Sequence, residues 1–149
     1  MEGWRITRAK KLGEAFSGEG ARLFGGRWNS QGIRMVYAAG TRSLAILEVL
    51  AHLTKAAPLN NYILYRIECD DSLVQILSDL PRGWNSEPPT SVSQSIGDAW
   101  MRSATHPVLS VPSAIVPEER NYLLNPAHSE FSRILIEKPV AYRIDPRLL

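Results

Sequence analysis

Five prolines between His106 and Val140, at positions 107, 112, 117, 126 and 139, set the strongest limit on the fold of this chain. Proline lacks the N–H of a ladder and breaks a helix interior, so this region can hold neither a long helix nor a long regular strand. Between the prolines lie short segments: Val108 to Val111, Ser113 to Val116, Tyr122 to Leu124 and Ile134 to Glu137. Each reads as a short strand, and Tyr142 to Ile144 as a further one.

The first two thirds alternate more regularly. A strand near Trp4 to Thr7 leads into a Gly-rich polar loop that runs through Gly32. Ile33 to Ala39 reads as a buried strand, and Gly40 and Thr41 as a turn that starts a helix over about Arg42 to Leu53. Asn60 to Glu68 is the next strand, Leu73 to Trp84 is mixed with a turn at Pro81 and Gly83, and Ser91 to Ser103 reads as a helix. Helices early and strands late imply an α+β fold with a mixed or antiparallel sheet. No repeat or linker divides the 149 residues, so residues 1–149 are expected to form one compact domain that buries about 70% of its unfolded surface.

Charge and cysteine usage narrow the function. A net charge of +2 with scattered basic residues does not argue for direct nucleic-acid binding. Arg5, Arg8, Lys10 and Lys11 form the one basic cluster, which reads as a solvated face. A single cysteine, Cys69, excludes an internal disulfide and fits a reducing compartment. With no secretory h-region and no membrane-length apolar run, the expected location is the cytoplasm. Neither GxGxxG nor GxxxxGK[ST] is present, and no Cys/His/Asp spacing suits a metal.

The stretch Gly25 to His52 carries the chemistry. From Leu44 to Leu53 only Glu48 and His52 are polar. A carboxylate on so apolar a helix is costly to bury without a partner. Glu48 reads either as a pair with His52 four residues on, or as an anion beside positive charge developing on a sugar ring. Arg27 follows Gly25 and Gly26, where the backbone can approach a ligand and a guanidinium can grip phosphate; the alternative is a surface arginine. Trp28 is a core anchor or a stacking surface, and Tyr37 a core tyrosine or a stacker on a heterocycle. Ser113, in VPSAIVP, lacks the G-x-S-x-G elbow of a nucleophile but can hydrogen-bond a ribose or an amide. Asn121 and Asn125 read first as loop-ordering residues and second as ligand contacts. Arginine, tyrosine and glutamate together suit a substrate bearing phosphate and ribose, a dinucleotide.

Arg27 in GGRWN, Tyr37 in VYAA, Glu48 in LAILEVLAH and Ser113 in VPSAIVP together resemble the RES-domain family, toxins of bacterial RES–Xre toxin–antitoxin pairs. WRI near the start, GDAW at Gly97 to Trp100, NYLLNPAH from Asn121 and the closing IDPRLL extend the likeness over nearly the whole chain. The resemblance implies a fold related to the ADP-ribosyltransferase toxins, with NAD bound across a split sheet. It implies cleavage of the nicotinamide–ribose bond, by hydrolysis or phosphorolysis, with NAD a consumed substrate rather than a cofactor. Arg27 would then hold the pyrophosphate or its ribose, and Tyr37 would orient the nicotinamide end. Glu48 would stabilise the oxocarbenium-like ribose, while Ser113, with Trp28 and Asn121, would contact the substrate. Transfer of ADP-ribose to a protein and a non-catalytic nucleotide-binding module are the alternatives. The resemblance also implies a hetero-oligomer with an Xre-type helix-turn-helix antitoxin that occludes the cleft, since no segment reads as autoinhibitory.

Overall fold

The computed structural model describes residues 1–8, 13–53 and 57–149. Lys10 and Lys11 of the basic cluster lie outside them. In chain order the elements are β1 (Glu2–Arg8), α1 (Glu19–Phe24), β2 (Val36–Ala39), α2 (Arg42–Ala51), β3 (Tyr62–Glu68), β4 (Val74–Ile76) and α3 (Ser91–Ser103). They continue as β5 (Val108–Pro112), β6 (Arg120–Leu124), β7 (Leu135–Ile136) and β8 (Val140–Tyr142). The fold is α+β, as helices early and strands late implied.

One sheet runs in the order β4-β5-β6-β2-β1-β3-β7, with β8 also on β3. Only β4 and β5 pair in parallel; the other pairs among the described residues are antiparallel. β1 and β3 pair along their whole length, from Glu2 opposite Glu68 to Arg8 opposite Tyr62. β1 and β2, in contrast, meet at one residue pair, Trp4 opposite Ala39. This waist divides the sheet into two halves. Beyond it Arg5 takes over from the ladder: its Nη1 donates to the Tyr37 carbonyl at 2.8 Å and its Nε to the Ala15 carbonyl at 2.6 Å.

Strand periodicity decides what faces what. Val36 and Ala38 of β2 join Ile67, Val108, Leu124 and Ile134 in a core on one face. On the other face Leu109, Val111 and Leu123 pack with Trp28, Met35 and Trp100 beneath α3 and the 25–35 loop, and Tyr37 packs against them. Leu44 and Ala45 seat α2 on Trp4, Ala39 and Leu64. Full burial of a leucine such as Leu44 contributes about 1.5–3 kcal/mol. The Thr41 hydroxyl caps α2 by accepting from Leu44 N at 3.0 Å, worth about 1 kcal/mol.

Several local expectations change; the last strand, for one, is Val140–Tyr142 rather than Tyr142 to Ile144. The Gly-rich loop contains α1, a six-residue helix that buries none of its residues. β2 begins at Val36 rather than Ile33. Ser113 to Val116 is a turn, not a strand, because the Ser113 hydroxyl accepts from the backbone N–H groups of Ile115 and Val116. Those donors are then withheld from any strand ladder.

Candidate functional site

Glu48 lies one turn beyond Leu44 on α2, so it projects on the side by which that helix meets the sheet. Its Oε1 accepts from the Ser113 hydroxyl at 2.9 Å and from Asn121 Nδ2 at 2.6 Å. Its Oε2 has no hydrogen-bond partner among the described residues. The carboxylate is thus gripped by one oxygen and left open at the other. His52 does not pair with it; its Nδ1 lies 2.7 Å from the backbone oxygen of Glu48 instead.

Ser113 is fully buried, and its hydroxyl is saturated. It donates its one proton to Glu48 and accepts from Ile115 N at 3.0 Å and Val116 N at 3.1 Å. The residue expected to touch substrate therefore holds the carboxylate, and no donor or lone pair is left for a ligand. Asn121 belongs to β6 rather than to a loop. Its Nδ2 faces Glu48, and its buried Oδ1 has no partner among the described residues. A buried acceptor without a donor is uncommon.

Arg27 and Tyr37 meet through the 25–35 loop. The Tyr37 hydroxyl donates to Asn29 Oδ1 at 2.6 Å and accepts from Trp28 N at 3.1 Å. Burial pushes this phenol above its ordinary pKa of 10.0, which keeps it neutral. Asn29, wholly buried, donates in turn to the carbonyls of Ala21, Ser30 and Ile33. From the far side α3 holds the same loop. Ser93 Oγ donates to the Arg27 carbonyl at 2.6 Å, and Gln94 Nε2 to the Gly26 carbonyl at 3.0 Å. The Asp98 carboxylate accepts from both N and Oγ of Ser30.

Trp28 is 2% exposed and stacks on Trp84, ring centroids 5.9 Å apart, so it belongs to the core rather than to a stacking surface. The guanidinium of Arg27 reaches the 84–87 segment. Nη1 donates to the carbonyls of Trp84 at 3.2 Å and Ser86 at 2.8 Å, and Nη2 to the Glu87 carboxylate at 2.8 Å.

The site residues thus form two groups: Glu48, Ser113 and Asn121 in direct contact, and Arg27, Trp28 and Tyr37 in the loop. The sheet joins them. Tyr37 and Ala39 share one face of β2, about 6.6 Å apart along the strand. Asn121 stands opposite Ala39 and hence on that same face. Asn29, Ser93, Gln94 and Asp98 were not singled out from sequence. Gly97 to Trp100 stands in the sequence only as a motif of the resemblance, although an acidic residue among α3's inward positions is a usable signal.

Two surface hollows lie elsewhere, one of about 450 Å³ beside Met1 and Cys69, the other of about 530 Å³ beside Tyr62 and Tyr142. Among the described residues no group of three or more His, Cys, Asp or Glu could hold a metal ion, and no helix is long and apolar enough to cross a membrane.

A carboxylate held by one oxygen and unengaged at the other suits a group carrying hydroxyls and nascent positive charge. An arginine on the same face suits an anion. Residues 2–145 match the family model described as "RES domain". "Toxin Res" of Yersinia enterocolitica is 38% identical, over 97% of this chain and 97% of its own. "Prs ADP-ribosylating toxin" of Sphingobium sp. is 43% identical, over 98% of this chain and 95% of its own. Among solved structures, a chain of the M. tuberculosis MbcT–MbcA toxin–antitoxin complex superposes with a TM-score of 0.74 at 24% identity, over 95% of this chain and 84% of that one.

Proposed function

The chain belongs to the RES domain family, and on that footing we propose that it is a toxin that consumes NAD by breaking the bond between nicotinamide and ribose. The observation that carries this reading is the grip on Glu48: Oε1 held by Ser113 and Asn121, Oε2 open, and the unmatched Asn121 Oδ1 alongside. Ribose hydroxyls are donors, and the unengaged Glu48 Oε2 is an acceptor. When the C1′–N bond breaks, its electron pair goes to the nicotinamide ring and cancels that ring's charge. The positive charge left on the ribose lies beside the Glu48 carboxylate, whose position was set beforehand. Water or phosphate then adds at C1′ and loses its proton to solvent. Arg27 would hold the pyrophosphate, and Tyr37 would keep the loop that carries Arg27 in place.

A second reading is favoured by one relative, named for ADP-ribosylation and 43% identical: the acceptor at C1′ is then a protein side chain. Incubating the purified chain with NAD at varied phosphate, with and without cell extract, separates the two. Free nicotinamide with ADP-ribose or its phosphate supports the first, and labelled protein at the expense of free product supports the second. NAD left intact under every condition would refute both.

Regulation on this reading comes from an antitoxin, of Xre helix-turn-helix type by family resemblance, covering the face that carries Arg27 and Glu48. The place of action is the cytoplasm, in keeping with the unpaired Cys69.

A further inference from the structure

The guanidinium proposed to hold the substrate's phosphate already holds an anion. Arg27 is 16% exposed, and its Nη2 is bonded to a carboxylate that is 77% exposed, that of Glu87. The two ends of this contact differ in how firmly they are fixed. Nη1 is kept in place by the carbonyls of Trp84 and Ser86, and Trp84 is anchored by its stack on the buried Trp28. The arginine therefore stays aimed whatever Glu87 does. Glu87 makes no other side-chain hydrogen bond among the described residues and swings free by rotation about its own side-chain bonds. Nε of Arg27 has no partner among the described residues, so removing Glu87 from Nη2 opens an Nε–Nη2 edge of the kind that takes two oxygens of a phosphate.

We propose that the Glu87 carboxylate is an internal stand-in for the substrate's phosphate, occupying the Arg27 clamp until a dinucleotide displaces it. The inference rests on the reading of Arg27 as a phosphate clamp and adds a residue that sets substrate affinity. A carboxylate and a phosphate offer Nη2 the same chemistry, an oxygen anion at hydrogen-bond distance, and two anions cannot share it without repulsion. The free protein is thus partly closed to its own substrate by a segment some sixty residues away in sequence. Because Glu87 is so exposed, the competition is weak, about two- to fivefold in affinity, the range of solvent-exposed ion pairs.

The test is calorimetric titration of the full chain with ADP-ribose at low ionic strength, on wild type, Glu87→Gln and Glu87→Asp. The expected result is about two- to fivefold tighter binding by Glu87→Gln, with the gain shrinking as salt is raised. Glu87→Asp keeps the charge but is one methylene shorter, and is expected to side with the glutamine variant. Equal or weaker binding by Glu87→Gln overturns the proposal. So does an aspartate variant that matches wild type while the glutamine variant gains, since the effect is then a diffuse field and not an occupied clamp. No binding of ADP-ribose by any of the three overturns this proposal together with the clamp reading beneath it, whereas equal binding by all three overturns it alone.

Discussion

Gly97 of α3 lies so close beneath Trp28 that a β-carbon there would stand 1.6 Å from the Trp28 carbonyl oxygen and 2.7 Å from its carbonyl carbon. The obstacle is backbone, so no change of rotamer relieves it. This contact lets α3 bring Ser93, Gln94 and Asp98 within hydrogen-bond reach of the Arg27 loop. Gly97→Ala is expected to lower stability by about 3 kcal/mol, roughly 6–12 °C in Tm, and to abolish NAD consumption. Ala99→Ser, exposed on the same helix, should stay within about 0.5 kcal/mol of wild type. A Gly97→Ala protein that melts with wild type and keeps its activity would show that close packing does not position the loop.

Glu48→Gln separates charge from shape. The glutamine oxygen can still accept from Ser113 and Asn121, so the melting temperature should hold within a few degrees. The NAD turnover rate should fall about 100- to 1000-fold, the typical cost of losing one aimed electrostatic contact to a transition state. Retained turnover would remove Glu48 from the chemistry.

Ser113→Ala tests whether the hydroxyl supports Glu48 or touches substrate. Loss of support leaves Glu48 in place but less well aimed, so kcat should drop with KM for NAD nearly unchanged. Stability should fall by about 1–3 kcal/mol, because the buried N–H groups of Ile115 and Val116 lose their acceptor. A rise in KM with kcat intact would return Ser113 to the role of a substrate contact.

Tyr37 makes stability depend on pH in the alkaline range. Its phenol is raised above 10.0 by burial, and Tyr65 and Tyr122 are raised for the same reason. Below pH 10 both folded and unfolded chains keep these protons, and the stabilisation is fully present. Above it the unfolded chain ionises first, so stability falls as pH rises. Urea midpoints at pH 8, 10 and 11 should decline, and decline less steeply in Tyr37→Phe than in wild type. Equal slopes in the two proteins would contradict the burial of this hydroxyl.

What could be read from the chain follows from how local each signal is. α3 was readable at both ends because its periodic face and its boundaries lie within its own residues. Glu48 stood out because a carboxylate on an apolar helix is anomalous in its immediate neighbourhood. α1 escaped because none of its residues is fully buried and its N-cap is Gly18, a glycine at φ 75° with no side-chain cap. Ser113 to Val116 looked like a strand because alternation cannot reveal that a serine hydroxyl will claim two backbone donors. The partners of Arg27 and Glu48 were unreadable for a different reason. Glu87 reaches Arg27 across 60 positions and Asn121 reaches Glu48 across 73, distances over which no pattern in one sequence carries information.

Those separations also govern when the protein becomes dangerous during its own synthesis. A ribosome delivers Glu48 early, but Ser113 follows 65 residues later and Asn121 73 residues later. On the proposed reading, until β6 has left the exit tunnel and paired with β2, nothing aims the carboxylate, and the nascent chain cannot act on NAD. On that reading truncated products that stop short of β6 are inactive too. An antitoxin of the proposed kind then has the synthesis of those 73 further residues in which to arrive before the site is assembled.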